Sequence, residues 1–221
     1  MAIQLYQHPV SPFCIGIEKI LKAYDIPHEV INIPYSDRRA IIEKTNGEYY
    51  RVPLLVDDGV PIWDRTDLGQ EIARHLDRKF DLGLFPSHLE GIQHILAKYI
   101  EHDVESVGFK INDIDYESWL PDLYDRIMFV RHKERRFGDG CLKAWAAAEG
   151  ELLRRMTELL VPLDQMLQAS PFLVDTRPRF VDFDLYGILG NFMFSGRQRI
   201  PEELWALNAW HKRMQALPQG I

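Results

Sequence analysis

The chain has 221 residues, of which 46% are hydrophobic and 27% are charged, and its net charge is −7. This composition is typical of a globular protein with a sizeable core. The negative charge argues against nucleic acid or an anionic membrane as the main partner, because both require a basic surface.

The two cysteines, Cys14 and Cys141, are far apart in the sequence and do not indicate a disulfide framework. The N-terminus shows no basic segment followed by an apolar run, and no apolar stretch has the length of a membrane span. We therefore expect a cytoplasmic protein.

The first predicted elements are a strand at residues 3–5 and an amphipathic helix at residues 13–24. Pro12 suits the first turn of that helix, because its missing N–H would be unpaired there anyway. Ser11 is therefore expected at the N-cap and Cys14 one turn into the helix. Free N–H groups and the positive end of the helix dipole favour an anion at this position, including a thiolate.

The following segments complete a small mixed sheet. The β-branched run at residues 30–33 predicts a second strand, parallel to the first because a helix connects them. Residues 37–44 favour at most a short helix. Residues 54–62 predict a hairpin with an Asp-Asp-Gly turn, and apolar residues every fourth position from 68 to 80 predict a third helix.

No convincing strand pattern follows this helix. Pro162 is expected to kink or end the longest of the later helices, and Pro201 is expected to begin the last one. Strands followed by helices predict two segregated domains, which we place at residues 1–82 and 87–221 with a linker at 83–86. Helical patterns occupy residues 92–100, 142–163, 185–193 and 204–214.

Two motifs resemble those of the glutathione S-transferase family. Ser11-x-x-Cys14 at a strand-to-helix junction resembles the Cys-x-x-Cys site of thioredoxin-like proteins, with serine in place of the first cysteine. Arg51-Val52-Pro53, ahead of a short apolar strand, resembles the cis-proline loop of glutathione transferases. The resemblance implies an α/β plus all-α fold, in which a thioredoxin-like domain precedes a glutathione-transferase-type helical domain.

A third segment, residues 178–187, resembles the buried capping box of the family's helical domains. Asp182 keeps the N3 position, but Arg179 stands at the N-cap where the family has Ser or Thr. We interpret this segment as a marker of the fold.

The resemblance implies a glutathione site in which Ser11 and Cys14 are the candidate catalytic residues. Ser11 would donate a hydrogen bond to the glutathione sulfur, and the backbone of Val52 would bind the cysteinyl part. The usual acidic-Ser pair of the third helix is replaced by Leu68 and Gly69. The γ-glutamyl end is instead assigned to free N–H groups at the helix entrance, near Asp64, Arg65 and Thr66. The other residues assigned to the glutathione site are Phe13, Arg51 and Pro53.

The implied function is a glutathione transferase with glutathione as co-substrate, a small electrophile as second substrate and a homodimer as the assembly. One alternative is a glutathione-dependent thiol oxidoreductase, in which Cys14 forms a mixed disulfide. Another is a non-catalytic binding protein that keeps the fold. Without the family resemblance, the sequence indicates only a helix cap at Ser11 and a small buried side chain at Cys14. No metal site is expected, because the histidine spacing fits no established ligand pattern.

The acceptor site is expected between the two domains, lined from the unmatched residues 103–137. The basic run at residues 131–136 is interpreted first as a solvated helix face, with the rim of a site for an anionic acceptor as the alternative. The apolar and aromatic side chains assigned to the acceptor site are Tyr116, Trp119, Tyr124, Met128 and Phe129.

Overall fold

The computed structural model describes residues 3–66 and 68–218. Within these ranges, four strands form one sheet in the order β2-β1-β3-β4, with three helices from the same half of the chain. The elements are β1 (Ile3–Gln7), α1 (Pro12–Ala23), β2 (His28–Asn32), α2 (Arg39–Lys44), β3 (Leu54–Asp57), β4 (Val60–Ile62) and α3 (Glu71–Phe80).

The pairing of the strands agrees with the sequence prediction. β1 and β2 are parallel, with Leu5 opposite Val30, and β3 runs antiparallel to both β1 and β4. Asp58 and Gly59 turn the hairpin with φ angles of 48° and 83°. Such left-handed angles suit Asp and Gly, which explains the tight turn.

The second half of the chain is helical. The described elements are α4 (Glu90–Lys98), α5 (Glu105–Trp119), α6 (Leu123–Phe137), α7 (Cys141–Ala147), α8 (Glu149–Ala169), α9 (Phe180–Phe192) and α10 (Trp205–Ala216). A π-helical segment, Tyr99–Val104, joins α4 directly to α5. None of the helices in the described ranges is both long and apolar enough to cross a membrane.

Two sequence predictions for this half are wrong in detail, the extent of the longest helix and the start of the last one. The helix expected at residues 142–163 is divided between α7 and α8, and Pro162 lies inside α8 without ending it. The last helix begins at Trp205, four residues after Pro201. The residues between 103 and 137, which matched nothing recognisable, form α5 and α6. These boundaries depend on tertiary packing, which periodicity does not record.

Asp182 confirms the interpretation of its segment as a fold marker. Its carboxylate accepts hydrogen bonds from the backbone N–H of Arg179 at 2.9 Å, from Leu173 N at 3.0 Å and from Trp210 Nε1 at 2.9 Å. Burial raises the pKa of Asp182 to about 6. Three donors converge on one buried carboxyl group, and they join the start of α9 to the preceding loop and to α10.

The two halves share one hydrophobic core, and α1 and α9 are packed together at its centre. The contact is made at glycines. A Cβ atom on Gly16 would lie 2.9 Å from Phe183 O, and one on Gly187 would lie 2.9 Å from Gly16 N and closer still to Pro12 O. Since these neighbours are backbone atoms, the two helices approach this closely only without side chains.

We predict that Gly187→Ala destabilises the protein by about 3 kcal/mol or more, because backbone atoms of α1 cannot move aside as a flexible side chain would. Gly91→Ala is the matched control, since nothing lies within 4 Å of a Cβ at that helical position. This control should stabilise the protein by about 0.5–1 kcal/mol, the usual gain for Gly→Ala in a helix. Urea unfolding followed by circular dichroism measures both changes, and equal effects would contradict the proposed glycine contact.

Candidate functional site

A cleft of about 1370 Å³ lies between the sheet-containing half and the helices of the second half. Cys14, one of the nine residues assigned to the site from the sequence, does not line this cleft. The other eight do: Ser11, Phe13, Arg51, Val52, Pro53, Asp64, Arg65 and Thr66.

Ser11 lies at the N-terminus of α1. It is the N-cap residue, with φ −65° and ψ 124°, and Pro12 follows in the first turn as predicted. The Ser11 side chain makes no capping hydrogen bond, while its backbone N–H donates to His8 O at 2.9 Å. The hydroxyl group is therefore not used for capping, and Ser11 lines the cleft.

Cys14 is fully buried in the core, at 0% exposure. Burial raises the pKa of its thiol to about 11, although a hydrogen bond with the Ser11 side chain acts in the opposite direction. The expectation that the start of the helix favours a thiolate at Cys14 is corrected by this burial, since desolvation outweighs the dipole. At neutral pH Cys14 is a neutral thiol next to Ser11.

The loop before β3 carries the predicted cis peptide bond between Val52 and Pro53. Both residues line the cleft, and so does the preceding Arg51. Beside this loop the Tyr49 and Trp63 rings, which also line the cleft, are stacked with their centroids 5.8 Å apart. The loop is thus held by ring packing while the backbone around Val52 borders the cleft.

The entrance of α3 differs from the sequence expectation. The helix begins at Glu71, and the backbone N–H of Ile72 donates to Asp64 Oδ1 at 3.1 Å. The backbone N–H of Arg65 donates to Glu71 Oε2 at 3.3 Å. The N–H of Ile72, expected to hold a ligand carboxylate, is therefore already bound to a carboxylate of the chain. Asp67 lies outside the described residues.

Asp64 itself has an unusual ionisation. Burial is the main cause that raises its pKa to about 6, and the neighbouring Glu71 acts in the same direction. Arg65 lies close by, with its guanidinium carbon 5.3 Å from the centroid of the Trp63 ring. One carboxyl group, of Asp64, and one guanidinium group, of Arg65, belong to residues that line this end of the cleft, an arrangement suited to the ammonium and carboxylate groups of an amino acid.

Sequence reasoning missed a polar wall beside Ser11. His8 Nδ1 lies 3.1 Å from the Ile33 carbonyl oxygen and His8 Nε2 lies 2.5 Å from the Tyr116 hydroxyl group. Since a carbonyl oxygen can only accept, Nδ1 carries the proton and Nε2 accepts from Tyr116. Burial lowers the pKa of His8, which keeps the ring neutral. Only the fold brings these two residues together across 108 positions of sequence.

Arg38 is a second missed residue on this wall. Nη1 of its guanidinium group is buried and has no hydrogen-bond partner among the described residues. The group lies 5.9 Å from the centroid of the Tyr35 ring, and both residues line the cleft. An unpaired buried cation favours an anionic ligand such as a thiolate or a carboxylate. Its loop carries no motif that would have singled it out.

The helical wall matches the expected acceptor site only in part. Tyr116, Met128 and Phe129 line the cleft as predicted. Trp119 and Tyr124 do not line it; Trp119 packs against Phe194, with ring centroids 6.0 Å apart. The two side chains lie beyond the cleft because α5 ends and α6 begins there.

The basic run of α6 has two different environments. Arg131 is exposed and pairs with Glu134 at 2.8 Å, as expected for a solvated face. Lys133 is instead largely buried and pairs with Asp113 at 2.5 Å. Arg135 and Arg136 are exposed residues at the rim of the cleft. The face is therefore solvated in part and contributes to the rim in part.

The floor of the cleft carries two carboxyl groups that the sequence reasoning did not single out, Glu105 at the start of α5 and Asp184 in α9. Burial raises the pKa of Glu105 to about 7, against the attraction of Lys133 and Arg136. Burial also raises the pKa of Asp184 well above its usual range. Both groups thus hold protons at pH values where exposed carboxyl groups have lost them.

Comparisons with known proteins agree with this architecture. Residues 5–82 match the family model described as glutathione S-transferase, N-terminal domain. A probable glutathione S-transferase GSTU6 of Oryza sativa subsp. japonica is 23% identical over 93% of this chain and 81% of its own length.

Among solved structures, the glutathione S-transferase CsGST63524 of Ceriporiopsis subvermispora in complex with glutathione has a TM-score of 0.78 and 16% identity, covering 100% of both chains. Glutaredoxin 2 from Salmonella typhimurium in complex with glutathione has a TM-score of 0.75 and 18% identity, covering 96% of this chain and 93% of its own. Both likenesses concern the fold.

We predict that Glu105→Gln removes a pH-dependent loss of stability. The folded state holds the Glu105 proton more tightly than the unfolded state, whose ordinary pKa is 4.5. Glu105 therefore contributes fully to the free energy of unfolding of wild type below about pH 4.5. This contribution is lost as the pH rises toward 7. The stability of the variant relative to wild type should rise across this window, by about 3 kcal/mol at most. Urea unfolding at several pH values measures it, and a constant difference would contradict the prediction.

Proposed function

We propose that this chain, which carries a glutathione S-transferase N-terminal domain and has the glutathione S-transferase fold, activates the thiol of glutathione for attack on a hydrophobic electrophile. The observation that carries the proposal is the position of Ser11. Its hydroxyl group is not used for capping and stands at the positive end of α1. Ser11 lines the same cleft as the apolar and aromatic side chains of Tyr116, Met128 and Phe129.

In the proposed reaction, the Ser11 hydroxyl group donates a hydrogen bond to the glutathione sulfur and stabilises it as a thiolate. The thiol proton leaves to solvent. The thiolate then forms a carbon–sulfur bond to the electrophile, whose leaving group departs with the bonding electron pair. Arg38 adds a nearby positive charge that favours the anionic sulfur over the thiol.

The remaining assigned residues would hold glutathione in place. The backbone of Val52 offers hydrogen bonds to the cysteinyl part, as a neighbouring strand would. Asp64 and Glu71 suit the α-ammonium group of the γ-glutamyl end, and Arg65 suits its carboxylate. Thr66 lies beside them at the same end of the cleft. Phe13, Arg51 and Pro53 complete the surface on either side.

Cys14 takes a supporting role in this proposal. The Ser11 side chain donates to its sulfur, which lowers the pKa of the thiol in part. In this proposal the Ser11 hydroxyl group exchanges that hydrogen bond for one to the glutathione sulfur when glutathione binds. A disulfide-exchange mechanism needs an accessible thiolate. The complete burial of Cys14 and its pKa of about 11 favour conjugation over the oxidoreductase alternative, despite the glutaredoxin-like fold.

We further propose a cytoplasmic homodimer, in which the thioredoxin-like half of one subunit meets the helical half of the other. Both cysteines are free thiols, which suits a reducing compartment. Exposed apolar side chains on both halves support the assembly: Val60 on β4 is 60% exposed, and Ile95 on α4 is 64% exposed.

We predict that Ser11→Ala lowers kcat/KM for glutathione conjugation to an uncharged aromatic halide by about a hundredfold or more, the usual effect of removing a main electrostatic donor. Cys14→Ser is the matched variant within the same motif and should have a mild effect, because the buried Cys14 does not contact the glutathione sulfur in this proposal. The opposite ranking, with disulfide reduction lost in Cys14→Ser, would establish the oxidoreductase alternative.

Calorimetry with glutathione tests the proposed ligand directly. Wild type and Ser11→Ala should both bind glutathione, since most of the assigned contacts do not involve the sulfur. The absence of binding to wild type at millimolar glutathione would overturn the proposed function.

We predict that light scattering at micromolar concentration gives twice the mass of the chain. Ile95→Glu should shift the protein toward monomer, because a charge would be buried in the interface. Leu123→Glu is the control, as Leu123 is equally exposed but lies on α6. A monomeric wild type, or dissociation by both variants alike, would refute the proposed interface.

A further inference from the structure

Asp184 is a buried carboxyl group on the cleft wall. Its side chain belongs to a residue only 7% exposed, and the residue lines the cleft. Its Oδ2 atom is buried and has no hydrogen-bond partner among the described residues. Buried polar atoms are normally paired, so an orphaned oxygen facing a cleft indicates a group that acts on a ligand.

Asp182 lies two residues earlier in the same helix and is a carboxyl group with a structural role. It receives three N–H donors from the chain and joins three segments. Asp184 receives none that would satisfy Oδ2. The two aspartates therefore have different roles, and Asp184 does not stabilise the start of α9.

The charged side chains that act on Asp184 are all carboxylates. They are Glu101 in the π-helical segment, Glu105 in α5 and Asp64 before α3. Lys133 and Arg136 act on Glu105 instead. The four carboxyl side chains, Asp184 included, all line the cleft. Because burial disfavours the charged form of Asp184, a cationic group bound beside it would stabilise the carboxylate.

We propose that Asp184 is a binding residue for the second substrate, and that it accepts a hydrogen bond from a protonated amine on that substrate. Glu101 and Glu105 add negative potential to the same position. The inference rests on the proposed function and specifies its acceptor as an electrophile carrying an ammonium group. Asp184 loses its proton to solvent when the ammonium binds, so the bound pair is an ammonium and a carboxylate.

The position of Asp184 suits the acceptor. Its backbone lies beside Gly16 in α1, 3.9 Å from where a Cβ on that glycine would stand. Gly16, Ile17 and Phe183 line the adjoining part of the cleft. An apolar electrophile against these residues, with its amine at Asp184, would thus lie along the same helix whose first turn presents Ser11.

The test compares two acceptors that differ in one group, a chloronitrobenzene carrying an aminomethyl substituent and the same ring carrying a hydroxymethyl substituent. Asp184→Asn should lower the ratio of their kcat/KM values by about tenfold or more, as expected for loss of a hydrogen bond to a charged group. Asp103→Asn is the control, an exposed acid in the same helix as Glu101 that does not line the cleft. An unchanged ratio in Asp184→Asn, or an equal loss for both acceptors, overturns the proposal.

Glutathione also carries an ammonium group, so its binding is measured separately. A selective loss of glutathione affinity in Asp184→Asn would assign Asp184 to the γ-glutamyl end and overturn the acceptor assignment. Glu105→Gln tests the contribution of the neighbouring carboxyl group. It should lower the ratio of the two kcat/KM values by a smaller factor than Asp184→Asn.

Calorimetry with benzylamine alone separates this inference from the proposed function. Wild type should bind benzylamine and release a proton. The proton release makes the measured binding heat depend on the ionisation enthalpy of the buffer. Asp184→Asn should show neither binding nor proton release. Binding that depends on Asp184 in a protein that conjugates nothing would leave the amine site standing and refute the transferase. Conjugation of the neutral acceptor without benzylamine binding would refute the amine site and leave the transferase. Thermal melts of each variant confirm that it is folded.

Discussion

The close approach of α1 and α9 is the contact on which the rest of the structure depends. Gly16 and Gly187 remove the side chains that would hold the two helices apart, and one core then extends from the sheet into the helical half. Because α1 also begins with Ser11, the same contact that joins the halves sets the position of the candidate nucleophile site relative to the helical wall. Stability and geometry of the site are therefore properties of one interface.

The cleft formed in this way has two chemically distinct sides. Beside Ser11 lie Arg38 and the His8–Tyr116 pair, where an anionic sulfur would be stabilised. The floor is acidic, with Glu105 and Asp184 holding protons because burial raises their pKa values. A substrate that brings an electrophilic carbon to the first side and a cation to the second would complement both once Asp184 has lost its proton.

The local elements of the first half were predictable because their signals are local. A few residues are enough to predict the helix start at Ser11 and Pro12 and the hairpin turn at Asp58 and Gly59. The same is true of the apolar repeat of the third helix. The site was predictable only as far as motifs reach. The burial of Cys14, the pairing of His8 with Tyr116 and the occupation of the Ile72 N–H by Asp64 all depend on residues distant in sequence or on the depth of packing. No spacing rule encodes these features, since they arise when the two halves meet.

The π-helical segment between α4 and α5 has a consequence for how such a cleft changes over evolutionary time. A π turn holds one residue more than an α turn, and each residue corresponds to about 100° of rotation around the helix axis. Because the wide turn takes up the extra residue locally, deleting a single residue from Tyr99–Val104 would restore regular winding and leave Leu96 of α4 and Val107 of α5 facing the core. Glu101 lies in this segment and lines the cleft. One insertion or deletion can thus change the cleft wall locally without disturbing the core packed against the helix on either side.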